Sequence, residues 1–283
     1  MPSQATDIVR GIDHLIVLVP DLDRSQRLWQ ALGFATTARG YHQSGGTANH
    51  LLMLDRTYVE LLGVVDPTAD SVYRSWAQNP GLWGVALRGS AEETYGLWRS
   101  RGLEPTTPAS LARGVEIDGR PELARFALTM LPRSKELPFL VFCCEHLTPQ
   151  FVWREDLPAH PNGARALREV FMLDEEGSAR GQFERLTEHA VRAGVDGTST
   201  LELGECSLTF LSRAGLERRW GPEAAFRTGA SPLLAGFRLL TDDLEGARRF
   251  AQRSGLPLRP TPGGGFVTFI LDEGVLLEWA PLH

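Results

Sequence analysis

The sequence predicts an α+β protein of four β-α-β-β-β units arranged as two paired-unit halves, and three observations lead there. Strand-like and helix-like runs alternate in steps of roughly 70 residues. Each step opens with an apolar extended run, then a residue able to cap a helix, then a helix with an apolar anchor. Two or three further strand-like runs follow each helix before the pattern restarts.

In the first unit, "IDHLIVLVP" is the strand, Asp21 opens the helix, and Gly33 supplies the left-handed residue that ends it. The runs "ATTARGYHQ", "ANHLLML" and "YVELLGVV" complete the unit. A shift of 69 brings Trp29 onto Trp98 and Gly33 onto Gly102 in the second unit, with Ser90 as the cap. An insertion is expected near residues 106 to 120, before "ARFALTML" and "PFLVFCC". A looser match at 154 places Trp29 on Phe183 and Leu32 on Leu186; Asp174 opens that helix and Gly194 is expected to close it, before "STLEL" and "CSLTFLS". The fourth unit reads "LLAGFRLL", Asp243, Gly255, then "LPLRPT", "GFVTFIL" and "VLLEWAP".

A helix covers one face of each small sheet and leaves the other bare, so paired units enclose a cleft. Four units predict two clefts. The joint is expected within "WREDLPAHPNGARA", giving halves at 8–153 and 154–283.

Composition excludes several classes. With 42% hydrophobic residues among 283, the chain can build a real core. A net charge of −6 without any Lys/Arg run argues against nucleic acid as a partner. No apolar stretch approaches the ~20 residues of a membrane span, and "MPSQATDIVRG" has no signal-peptide core, so a cytoplasmic location is expected. The three cysteines fit reduced thiols, and without a C-x-x-C pair there is no zinc ribbon. Serine-hydrolase and P-loop motifs are absent, and "GGGF" precedes no helix, so it reads as a turn. Cys143 and Cys144 lie in an apolar strand and read as packed thiols.

The residue that stands out is His14, an imidazole inside a run of Ile, Leu and Val. Buried without a partner it would cost free energy, so a carbonyl, a carboxylate or a metal ion should meet it.

Paired units whose first strand carries "DH" and whose last strand carries a carboxylate resemble the vicinal oxygen chelate superfamily, which includes glyoxalase I and the extradiol dioxygenases. "GIDHLIVLVPDLD", "GGTANHLLML", "TYVELLG" and "HPNGA" are similar to its glyoxalase-like proteins. The resemblance implies metal ligands on the first and last strands of each unit, which here are His14 and Glu60. Both lie among apolar neighbours, and the other reading is a His–Glu hydrogen bond that satisfies both. The second unit departs from the pattern: Trp83 is expected at the position of His14, leaving His146 at the end of "PFLVFCCEHL" as the third ligand. Glu60 or Glu145 would shuttle a proton, while His50, Trp83 and Trp153 would contact substrate. His160, before Pro161, is expected to be structural.

The second half looks degenerate, with Arg168 and Gly236 at ligand positions and Glu278, placed like Glu60, left to bond Arg238 or Arg168. In four-unit extradiol dioxygenases the iron lies in the C-terminal pair, so a straightforward ring-cleaving enzyme is disfavoured. The expected function is a metal-dependent lyase, isomerase or oxygenase using Fe, Zn, Mn or Ni to chelate two oxygens of a small organic molecule. The rival is a metal-free protein that sequesters an aromatic drug or metabolite, which Trp83 would favour. A homodimer remains open, because paired units also pair between chains.

Overall fold

The computed structural model describes residues 7–42, 46–66, 68, 79–117, 119–225 and 231–283. Gln43 and Gly45 of the quoted motifs, and the first six residues, lie outside these. The first half contributes β1 (Val9–Leu18), β2 (Gly40–Tyr41), β3 (Thr47–Met53), β4 (Tyr58–Val64), β5 (Gly81–Gly89), β6 (Ala109–Ile117), β7 (Arg120–Met130) and β8 (Leu140–His146). They form one eight-stranded sheet in the order β2-β3-β4-β1-β5-β8-β7-β6. The second half contributes β9 (Ala164–Leu173), β10 (Arg192–Ala193), β11 (Ser199–Leu203), β12 (Cys206–Leu211), β13 (Leu233–Thr241), β14 (Leu258–Pro260), β15 (Phe266–Ile270) and β16 (Val275–Pro281). These repeat the topology as β10-β11-β12-β9-β13-β16-β15-β14.

In every unit the first strand runs parallel to the last, as β1 does to β4 and β5 to β8. Two units join through their first strands, antiparallel, at β1–β5 and at β9–β13. An isolated bridge from His42 to Arg113 brings the end of β2 against β6, curling the first sheet round its own bare face.

The unit helices are α1 (Leu22–Ala31), α2 (Ala91–Ser100), α3 (Ser178–Thr187) and α5 (Leu244–Arg253). Asp21, Ser90 and Asp243 cap theirs by accepting from Arg24, Glu93 and Gly246 backbone N–H groups. Gly33 follows its helix with φ of +83°, where a Cβ would also strike Phe250. The third helix departs from expectation at both ends. Gly177 occupies the cap position, and Asp174 reaches across the turn to accept from the Ala179 and Arg180 N–H groups. The helix stops at Thr187 with Glu188 left-handed, so Gly194 plays no part in ending it. The expected insertion at 106–120 is corrected too: residues 109–117 are strand β6, paired along its length with β7.

Trp29, Trp98 and Phe183, the aligned anchors, are fully buried in one core that continues through both halves. Trp29 donates from Nε1 to Glu273 in the second half at 2.7 Å, and Trp98 donates to the Leu186 carbonyl at 3.0 Å. The connection between halves docks on the end of α1. Asn162 donates to the Leu32 carbonyl at 2.9 Å, and His160 accepts from Ala35 N–H while donating to the Met53 carbonyl. Burial pushes the His160 imidazole below its ordinary pKa, consistent with this neutral structural role.

Instead of two open clefts, the second is filled. A further helix, α4 (Arg213–Trp220), follows β12 and lays Leu216 and Trp220 against Phe171, Phe269 and Leu276 on the bare face of the second sheet. Beside Trp220 lies a four-residue ionic cluster: Arg238 with Glu169 at 2.8 Å, Arg219 with Glu169 at 3.2 Å, and both arginines with Glu278. Glu169, rather than Arg168, is the acidic residue facing inward; Arg168 donates to the Glu205 carbonyl. Glu278 occupies the place of Glu60: it pairs in register with Arg238 as Glu60 does with Ile16, two residues beyond Gly236 and His14, and it bonds Arg238.

Trp220→Ala should destabilise the protein by about 3–5 kcal/mol and open a cavity in the second half, measured by denaturant unfolding and by binding of an apolar dye. Burial alone would raise Glu169, but Arg219 and Arg238 outweigh it and hold the carboxyl below its ordinary 4.5. The stabilisation is therefore present above that pH and lost as pH falls through the depressed value. Glu169→Gln should cost about 3 kcal/mol at pH 7, and the gap to wild type should narrow on acidification below 4.5.

Candidate active site

The bare face of the first sheet encloses a cavity of about 100 Å³ lined chiefly by apolar side chains, among them Ile16, Leu51, Phe126 and Phe142. His14 and Glu60 project into it from adjacent parallel strands, β1 and β4. Strand alternation sends His14, Ile16 and Leu18 to this face. By alternation Asp13 would point the other way. A one-residue bulge in the β1–β5 pairing, between Ile12 and His14, breaks that rule and leaves Asp13 beside its neighbour.

Asp13 is 1% exposed, and one of its oxygens, Oδ1, accepts from His14 Nδ1 at 2.7 Å and from His146 Nε2 at 3.0 Å. The other oxygen lies 3.6 Å from Arg88 Nε. Burial would raise the Asp13 carboxyl, but the two histidine hydrogen bonds outweigh it and hold the group far below the ordinary carboxylate range.

With Nδ1 committed to Asp13, the other nitrogen of His14, Nε2, lies 3.8 Å from Glu60 Oε2. Tyr58 stacks on the His14 ring at 4.4 Å between centroids and fixes its plane. Burial pushes the Tyr58 phenol well above its usual range, so it stays neutral. The second carboxylate oxygen of Glu60 accepts from Asn49 Nδ2 at 2.6 Å and stands 3.7 Å from His42 Nε2. Asn49 also donates weakly to His42 Nε2, which assigns the ring proton to Nδ1, facing Thr47. Burial pushes the His42 imidazole below its ordinary pKa, more than Glu60 raises it.

The remaining expected residues lie elsewhere. His146 sits on the far side of Asp13 from the cavity and lines an outer pocket with Arg88 and Trp153. Glu145, expected as a proton shuttle, accepts from Ala91 N–H and so holds the start of α2. His50 faces away from the cavity, bonded to the Thr37 carbonyl, while its neighbours Asn49 and Leu51 point in. Trp83 donates to the Asn79 carbonyl at 2.6 Å and is not a cavity-lining residue; Ala86 is the residue opposite His14. Trp153 backs Tyr58 and His146 from outside. Sequence reasoning missed Asp13, His42, Asn49 and Arg113. Asp13 was visible as the residue beside His14, and Asn49 as one step of register from His50.

The profile of the glyoxalase-like domain family matches residues 12–187, more than half of the chain. The chain belongs to the glyoxalase-like domain family. Its fold is that of the vicinal oxygen chelate superfamily. A hypothetical protein from Staphylococcus aureus superposes with a TM-score of 0.69 at 14% identity, covering 96% of this chain and 99% of that one. A mutant 4-hydroxymandelate synthase from Streptomyces coelicolor superposes at 0.63 with 12% identity, covering 96% and 92%. A fusion protein of a xylose isomerase-like TIM barrel and 4-hydroxyphenylpyruvate dioxygenase superposes at 0.61 with 14% identity, covering 99% of this chain and 50% of that one. No curated protein sequence matches. Among the described residues no helix is long and apolar enough to cross a membrane.

Could these residues hold a divalent ion? Two ligand atoms each ~2.1 Å from one ion lie at most about 4.2 Å apart, so the His14–Glu60 gap suits a shared ion better than a hydrogen bond. The Asp13 contact supplies the outer carboxylate that metal-bound imidazoles need for orientation. Ligand atoms of Asp13, His14 and Cys144 also lie within 4.8 Å of one another. Burial pushes the Cys144 thiol well up, so without an ion it stays protonated. The donor pair His14 and Glu60 fits a divalent metal, while Cys144 groups with Asp13 and His14 rather than with Glu60.

Asp13→Asn removes the charge that both histidines lean on. It should lower stability by about 3 kcal/mol in urea unfolding and move the His14 and His146 ring resonances together in NMR spectra at fixed pH.

Proposed function

We propose that this protein is a metal-dependent enzyme of the glyoxalase-like kind, acting on a small oxygen-bearing organic molecule in the cavity of its N-terminal half. One observation carries the reading. Asp13 turns His14 so that Nε2 faces the Glu60 carboxylate across 3.8 Å, in an apolar enclosure, with no hydrogen bond between them. Two electron-rich groups held face to face call for a cation between them, the place of a metal ion.

When bound by His14 and Glu60, a divalent ion would act as a Lewis acid on substrate oxygens. The other roles fall to the chain itself. Asp13 orients His14, and Tyr58 stacking keeps its ring in one plane. Phe126, Leu128 and Phe142 exclude water and strengthen every charge interaction inside. Glu60, tied at Oε1 by Asn49, holds Oε2 toward His14 Nε2, where it would serve the ion.

The filled second half supports an N-terminal site, because Trp220 and the arginine–glutamate cluster occupy the equivalent face there. A metal-free binding protein is the second reading, favoured by Gly84, which carries no ligand atom, standing on β5 where His14 stands on β1.

Elemental analysis of protein purified without added metal or chelator tests this. About one equivalent of iron, zinc, manganese or nickel is expected, lost in His14→Ala and in Glu60→Gln. Absence of metal even after reloading overturns the metal-dependent reading and leaves the binding protein.

A further inference from the structure

Arg113 is 7% exposed, yet among the described residues its guanidinium meets no carboxylate. Its one hydrogen bond is from Nη1 to the amide oxygen of Asn49 at 3.2 Å, and its Nε is buried without a partner. A buried cation left with a single neutral acceptor is unstable by several kcal/mol relative to a paired one. The structure does not answer this with its own acids: Glu60 is reached only through Asn49, and Glu116 and Glu122 lie on the rim of an outer groove.

The position is built rather than incidental. Arg113 and Leu51 line both the inner cavity and that outer groove of about 530 Å³, so the Arg113 side chain stands between them. Gly40 makes the room: a Cβ there would stand 2.8 Å from the Arg113 side chain and 2.6 Å from Asn49 Oδ1. The other arginines of the groove already have partners, Arg39 in Asp23 and Arg154 in Asp156. Arg113 is the cation held in reserve.

We propose that Arg113 is the anion-recognition residue of this site, and that its ligand is a small amphiphile with a carboxylate on an apolar body. The carboxylate accepts from the free guanidinium edge. The body packs on Leu51, Phe126 and Leu128, and Glu60 repels the charged end, so the opposite end faces His14. This rests on the reading that the N-terminal cavity is the substrate site, and it deepens that reading by naming the substrate class.

The test is calorimetric titration of full-length, chelator-treated protein with phenylacetate and with phenylacetamide, its uncharged isostere. Chelation removes any metal contribution to carboxylate binding. Wild type should bind phenylacetate at least tenfold more tightly than phenylacetamide. Arg113→Met should erase that preference while leaving phenylacetamide within about twofold, and Arg113→Lys should keep part of it. Equal binding of the two probes by wild type, or a preference that survives in Arg113→Met, overturns the role of Arg113 and leaves the cavity reading standing. Binding of neither probe up to 10 mM overturns the cavity reading and this proposal with it. Should Arg113→Met fail to fold by circular dichroism, the wild-type pair and Arg113→Lys still decide.

Discussion

The bulge at Asp13 in the first strand governs the site. The bulge between Ile12 and His14 puts two neighbouring side chains on the same side of β1, which regular pleating forbids. Without it Asp13 would face the helix layer and His14 would have no carboxylate on Nδ1. The buried Asp13 charge then organises what surrounds it, turning His14 toward Glu60 and drawing in His146 and Arg88. The cost of burying Asp13 is offset by three partners, a distribution that also ties β8 to β1.

The two halves share one frame and resolve its central problem in opposite ways. Each sheet has a bare face that must be either filled or used. In the second half, α4 inserts Leu216 and Trp220, and the charges that remain form a self-neutralising cluster of two arginines and two glutamates. In the first, no helix enters among the described residues, and the charges do not cancel locally: Glu60 and Arg113 each spend their close contact on Asn49. A neutral amide between an anion and a cation keeps both available to something else. That contrast, more than the size of the cavity, distinguishes the first half from the second.

The helix layer makes the halves interdependent. Trp29 belongs to the first unit, yet its indole N–H is satisfied by Glu273 of the fourth. Trp98 relies in the same way on a carbonyl of the third unit. Burying an indole N–H without a partner is unfavourable, so neither half would present a complete hydrogen-bonding set alone.

Local signals were legible in the chain because they act through neighbours in sequence. The caps at Asp21, Ser90 and Asp243, the glycines after three helices and the repeat that aligns Trp29 with Trp98 and Phe183 determined the units and their pairing. The facing pair His14 and Glu60 was visible as charge among apolar residues. The rest required the tertiary structure. Register decides which of Asn49 and His50 faces inward, and one residue of slip reverses the answer. The bulge decides Asp13, and closure of the sheet by the His42–Arg113 bridge decides that an arginine in a supposed insertion lines the cavity. A helix after β12 decides that the second cleft is filled. Each of these depends on what lies across a sheet or across the core, which spacing along the chain does not encode.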